Sequence, residues 1–275
     1  MSSVLQSPDL LELVFAFQDG WYQEQLDLIM TLELHGLRHL VHSASSQPFP
    51  SMDRVVEILS PWIEKHGISA AQRLVRDMAQ VGGLLFLHCA HEGNTVLLKS
   101  IQEVGNISLG TQQRIVHTAA AAGHVNVLEF LHQNNYSGFT ADTMDTAVSH
   151  GHLDAVKFLH ANRSEGCTTK ALDQAIYHGH SDLIDWLYTN RTEGCSHSGL
   201  LFAAKKGSPI LQRIVEDGRM QLGGSEIIHA ARSGHFTLVK YLASLVSTNH
   251  IKRALEAATY LGYTEICQYL NTVIS

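Results

Sequence analysis

The sequence predicts an all-α solenoid of stacked helix–turn–helix units, and three observations predict it. Glycines at 93, 123, 151, 179, 207, 234 and 262 recur in one register, about 28 residues apart. Four residues before each stands a small side chain: Cys89, Ala119, Ala147, Ala175, Ala203, Ala230 and Ala258. Apolar residues recur seven before and four and eight after each glycine, the offsets that line up along one face of a helix.

The first eighty residues lie outside this register. Ser7-Pro8-Asp9 is a helix start, with proline in the first turn, and LLELVFAF follows as a short apolar helix. Asp19-Gly20 reads as a break, and WYQEQLDLIMTLELHGL as a second helix ending near Gly36. SASSQPFPS, residues 43–51, is the one candidate linker. Ser51-Met52-Asp53 opens a third helix bent or interrupted at Pro61, and ISAAQRLVRDMAQ makes a fourth. Residues 1–80 are therefore expected to form a helical cap over the end of a repeat array spanning 81–275, because an uncovered solenoid end leaves an apolar face in water.

In each unit Phe86, Val116, Met144, Leu172, Leu200, Ile227 or Leu255, at seven before the glycine, joins the small residue at four before on the stripe of a first helix. Leu97, Val127, Ala155, Leu183, Leu211, Leu238 and Ile266, at four after, open the stripe of a second. Phe130, Phe158, Trp186, Tyr241 and Tyr269, at seven after, are expected to fill the layer behind. The glycine ends the first helix because the reversal requires positive φ, and the small residue lets two helices approach closely. The doublets Gly82-Gly83 and Gly223-Gly224 read as joints between units.

The pattern Ala-X-X-X-Gly-His-Leu-(Asp)-X-Val-X-X-Leu, as in AVSHGHLDAVKFL, resembles the ankyrin repeat. The likeness covers roughly residues 82–273 and is closest to the short, divergent arrays of oomycete proteins; it is weakest around Gly207, where Ser208-Pro209 replaces the histidine. Ankyrin repeats usually run about 33 residues. The Thr-Pro-Leu-His opener is missing, and the hairpin loop is cut to segments such as NRSEGCT and NRTEGCS. The resemblance thus implies an ankyrin-like solenoid of about seven repeats with short or absent β-fingers, acting as a protein-binding module through the concave face of its first helices.

Composition narrows the function further. The 275 residues carry 19 Lys+Arg against 26 Asp+Glu, a formal charge of −7, which disfavours duplex DNA or an anionic membrane as the main partner. No apolar stretch reaches the ~20 residues that span a bilayer, and the start has no basic segment of a signal peptide. An intracellular, monomeric protein of the cytoplasm or nucleus is expected. No basic residue precedes Arg38, whereas Asp9, Glu12, Asp19, Glu24, Asp27 and Glu33 do, an acidic patch able to repel wrong partners or attract a basic one. KHGISAAQRLVRDMA has a faint helix-turn-helix look, without the basic recognition helix that DNA reading needs.

Eighteen histidines raise a metal-dependent enzyme as the rival reading, with His150-Gly151-His152 and His178-Gly179-His180 as the densest groups. Yet His124, His152, His180 and His235 share one slot after the turn glycine, which suits an imidazole bonded to backbone in its own turn or a neighbouring unit. Cys167 and Cys195 sit in matching loops one layer apart, beyond disulfide reach, and Cys89 and Cys267 occupy stripe positions; all four read as structural thiols. Neither a nucleophile elbow nor a phosphate loop occurs, and no cofactor is expected.

What varies is the pair of positions just before each glycine, which should face the groove. There the expected partner-binding residues are Ser149, His150, Tyr177, His178, Lys205, Lys206, Arg232 and Tyr260. Tyr177, His178, Lys205, Lys206 and Arg232 form an aromatic and cationic strip suited to an acidic segment, either of a partner or of the chain's own N-terminal region. A purely structural spacer is the third reading.

Overall fold

The computed structural model describes residues 23–34, 52–105 and 109–275. The expected Ser7-Pro8-Asp9 start, the LLELVFAF helix, the Asp19-Gly20 break, the residues around Arg38 and the SASSQPFPS linker lie outside the described residues. Among those described, all regular structure is helical and no strand occurs. Among the described residues, the loops between successive layers contain turns and bends and no β-finger.

The chain divides into two compact units, Met1–Phe139 and Thr140–Ser275. In the first, α1 (Gln23–Leu34) packs on α2 (Met52–Asp77), which packs on α3 (Ala79–Glu92), and α3 on α5 (Leu109–Ala122). The second helices of these layers, α4 (Thr95–Gln102) and α6 (Val125–Gln133), lie behind. In the second unit the first helices α7 (Ala141–Ser149), α9 (Thr169–His178), α11 (His197–Lys206), α13 (Ser225–Arg232) and α15 (Thr248–Leu261) stack in chain order as an inner row. Each carries its own second helix: α8 (Leu153–Asn162), α10 (Ser181–Asn190), α12 (Ile210–Glu216), α14 (Phe236–Ala243) and α16 (Thr264–Ile274). This is a helical-repeat solenoid of the ankyrin-like kind, in which layers pack on their neighbours in sequence rather than around a central nucleus.

The repeat slots do what their spacing implies. All seven small residues, from Cys89 to Ala258, are 0% exposed. Each accepts, at its backbone carbonyl, the N–H of the residue after the glycine: Ala147 O from His152 at 3.0 Å, Ala175 O from His180 at 2.9 Å, Ala203 O from Ser208 at 2.9 Å. This is the six-to-one closure of a Schellman cap, which places the glycine in the left-handed region; Gly151 has φ 85° and Gly207 φ 66°.

The next layer uses the space above that glycine. His180 donates from Nε2 to the Ser149 carbonyl at 3.2 Å, and His235 to the Lys205 carbonyl at 2.9 Å; in the first unit His124 does the same to His91 at 2.7 Å. A carbonyl can only accept, so Nε2 carries the proton. The ring then lies against the glycine of the preceding layer: a Cβ on Gly207 would stand 2.6 Å from His235 Nδ1, and one on Gly151 2.9 Å from His180 Cε1. Tyr263 takes the same place over Gly234, at 2.7 Å. Where the following layer offers Ser208 instead, nothing lies within 4 Å of a Cβ on Gly179.

A second staple was not read from the sequence. Asp145 and Asp173 are buried at the same place on successive inner helices. Each accepts a backbone N–H at 2.9 Å and a hydroxyl from the residue that caps the next inner helix, Thr168 and Ser196 respectively. The same hydroxyls accept the N–H groups of Lys170 and Ser198 at 3.1 Å. Each carboxylate thus holds the N-cap of its neighbour in place, satisfying donors that a helix start otherwise leaves open.

Three expectations change. Gly82 and Gly83 are not a joint; they lie inside α3, where a Cβ on Gly82 would stand 2.9 Å from Val75 Cα, so glycine here serves close packing against α2. Gly224, with φ 87°, does stand at a joint, as the N-cap of α13. Helix α2 runs through Pro61 and departs from helical geometry at Gly67 instead, where φ is 76° and ψ −178°. An exposed proline costs one backbone bond, whereas the glycine permits a conformation that other residues resist. Finally, of the five rings seven residues after the glycines Phe130 is buried as expected, whereas Phe158, Trp186, Tyr241 and Tyr269 are only half-buried; Trp186 and Tyr269 meet His160 and Phe236 of the preceding outer helices at right angles.

Two outcomes test this account. Gly179→Ala should cost only the backbone strain of the left-handed region, ~1–2 kcal/mol. Gly207→Ala should cost more in urea denaturation because His235 must also move, and the gap should close in a His235→Ala background. A double-mutant cycle of Asp173→Ala with Ser196→Ala should return a coupling of about 1–3 kcal/mol.

Candidate partner-binding face

The capped turn decides which side chains of an inner helix stay in solvent. The stripe at seven, four and three before the glycine is committed to packing, so the two residues immediately before the glycine project from the layer. In the second unit His150, Tyr177, His178, Lys205, Lys206, Arg232 and Tyr260 are exposed, Tyr260 by 90%, and Ser149 is half-buried. Backbone in this row is already engaged, since the Ser149 and Lys205 carbonyls hold the histidines of the following layers.

Four of these residues come together. Tyr177, His178, Lys205 and Lys206 line one shallow cleft of about 390 Å³ between α9 and α11. Its fifth wall is Phe202, which the sequence reading missed. The Tyr177 ring meets Phe202 and His178 edge-on, each at 5.0 Å between centroids, and His178 stacks on His180 at 5.7 Å. The signal was legible: five residues before the glycine, Gln174 and His229 flank a lone large apolar ring in the same slot. Ser149, His150, Arg232 and Tyr260 are not part of this cleft. His150 is occupied locally, donating from Nδ1 to the Thr146 carbonyl at 2.9 Å and stacking on His152 at 6.4 Å.

Charge is segregated between the two helix rows of this unit. On the inner helices Lys170, Lys205, Lys206, Arg232, Lys252 and Arg253 are exposed, against Asp142 and Glu256. On the outer helices Asp154, Asp182, Asp185, Glu216 and Glu265 outnumber Lys157, Arg213 and Lys240. The inner acids are buried: Asp145 and Asp173 meet the caps of the next layer, and Glu226 accepts the Gly223 N–H of its own helix start at 3.3 Å and lies 3.5 Å from His197 Nδ1 of the preceding inner helix. A chain of net charge −7 therefore carries a cationic row along one side of Thr140–Ser275.

The other candidate chemistry is spread thin. Nε2 of His124, His180 and His235 is spent on a carbonyl, and among the described residues no three His, Cys, Asp or Glu side chains are placed to hold a metal ion. The four cysteines are free thiols. Burial pushes Cys89 and Cys195 up to about 12 and Cys167 up to about 11, which keeps them protonated and poor as nucleophiles. Iodoacetamide at pH 8 should therefore label the native protein at the half-buried Cys267 first, with all four sites modified only in denaturant; mass spectrometry of the peptides reads the order.

A sequence-family model described as ankyrin repeats (many copies) matches residues 144–188, the span from Met144 on α7 to Tyr188 on α10. The layers that it covers hold the His180 staple, the Asp145 and Asp173 carboxylates, and Tyr177 and His178 of the cleft. No curated protein matches the sequence.

Proposed function

We propose that this chain is a non-catalytic protein-binding module that holds an acidic segment of a partner along the inner helices of Thr140–Ser275. Ankyrin repeats are in general protein–protein interaction modules, and a match to them covers the first two layers of this face, Tyr177 and His178 included. The observation that carries the reading is the cationic row, with the Tyr177–Phe202 cleft at its middle. Core slots are uniform from layer to layer, whereas the row before the glycines varies, and variation on a fixed frame is what recognition of one particular partner needs.

In this reading Lys205, Lys206 and Arg232 supply long-range attraction and Tyr177 with Phe202 supplies an apolar seat. Ser149, His150 and His178 add hydrogen-bonding capacity at one side, and Tyr260 an aromatic contact at the far end. Tyrosine and arginine are the side chains that most often dominate binding energy at interfaces. An interface of ~800 Å² per partner needs only part of the row. The protein works as a monomer in a reducing compartment, cytoplasm or nucleus, consistent with its free thiols, and residues 1–80 serve as the helical cap of the array. No helix among the described residues is long and apolar enough to cross a membrane.

Affinity capture with the intact chain, compared with a Tyr177→Ala/Lys205→Glu/Lys206→Glu/Arg232→Glu variant, tests the reading. The variant should lose partners that the parent retains, with at least a tenfold weaker Kd (about 1.4 kcal/mol) for each partner identified. Parent binding should weaken as salt is raised. Equal retrieval by both proteins overturns the proposal.

A further inference from the structure

The loops of the second unit contain a second repeated device, and its third copy is broken. Arg163, Arg191 and Arg219 fall at the same place in successive repeats. Two residues after the first two stand Glu165 and Glu193, and each arginine clamps its glutamate through Nε, at 3.2 Å, and through Nη2. The Arg163 guanidinium holds the Glu165 carboxyl below its ordinary range. For Glu193 burial works upward, and Arg191 together with backbone hydrogen bonds outweighs it, so the net direction is again down. After Arg219 the corresponding residue is Gln221, a neutral amide that cannot replace the carboxylate.

Arg219 is nevertheless held in position. Its guanidinium lies over the Tyr188 ring at 4.1 Å, and Nη1 donates to the Tyr188 carbonyl at 3.2 Å. The edge formed by Nε and Nη2, which binds the glutamate in the other two copies, is left without a hydrogen bond among the described residues. The nearest carboxylate, Asp217, is 4.0 Å from Nε and accepts the Tyr188 hydroxyl. Arg219 also lines a cleft of about 500 Å³, a size that suits a small molecule. The apolar part of its wall is Leu172, Ile214, Met220 and Cys195; the one carboxylate in the wall, Glu193, is already clamped by Arg191.

We propose that this cleft binds a small carboxylate with an apolar body, whose carboxylate takes the place at Arg219 that Glu165 and Glu193 take in the preceding layers. The body of the ligand rests on Leu172, Ile214 and Met220. The site lies where the first turn of α9 meets α10, α12 and the loops that follow them, shares no lining residue with the Tyr177–Phe202 cleft, and does not depend on the partner-binding reading.

Phenylacetate and its uncharged analogue phenylacetamide are the probes, titrated into the isotope-labelled full chain while the Arg219 Nε–H and Met220 amide resonances are followed. Phenylacetate should shift both saturably and phenylacetamide should not. Gln221→Glu restores the internal clamp of the neighbouring layers without removing any packing, and it should weaken phenylacetate binding at least tenfold, as should Arg219→Gln. Lys205→Glu/Lys206→Glu should leave it unchanged. The proposal is overturned by any one of four results: no saturable shift with phenylacetate, equal shifts with the amide, undiminished binding by Gln221→Glu, or a parallel loss in the double lysine variant.

Discussion

The structure depends on one contact repeated between layers: a left-handed glycine covered by the ring of the residue that follows the next layer's glycine. The glycine is fixed twice over. Its positive φ closes the inner helix onto a small residue four positions back, and its missing side chain leaves room for the imidazole that reaches the carbonyl two residues before it. Because the ring belongs to the following layer, the turns at Gly93, Gly151, Gly207 and Gly234 each gain a cover from their neighbour, whereas Gly179 is closed by its own backbone bonds alone. Local capping and inter-layer packing thereby become one interaction, which is why so short a unit holds together without a nucleus of its own.

The buried carboxylates extend the same logic to helix starts. Asp145 and Asp173 would be costly alone in an apolar layer, but each is met by a backbone N–H and a hydroxyl from the next layer's cap. The starts of α9 and α11 are therefore held by the layer before as well as by their own Thr168 and Ser196 hydroxyls. Exposed positions are released from any structural duty as a result. Lys205 and Lys206 can stand side by side, despite their mutual repulsion, because the layer beneath them is fixed by Ala203, Gly207 and His235.

The two proposed sites arise from opposite features of a repeat. The row before the glycines is informative because it changes at every layer while the frame stays constant. The Arg219 cleft is informative because a constant feature stops: the arginine persists and its glutamate does not. Both follow from a regular frame, since only against a strict period can a free variation or an interrupted pair be recognised.

The sequence by itself determined the period, the inner and outer stripes, the turn glycines and the row of residues left exposed before them. Those are properties of spacing, and helical spacing is local. It also contained, unread, the recurrence of Asp145 as Asp173 one repeat later, and that of the loop arginines. The tertiary structure alone decided which atoms meet across layers: that His235 lies over Gly207, that Gly82 belongs inside a helix against Val75, that Phe202 joins Tyr177, and that the carboxylates point at neighbouring caps. Such pairings depend on how far one layer is displaced and turned relative to the next. That displacement is set by the packing of side chains from both layers together, and no single unit's sequence specifies it.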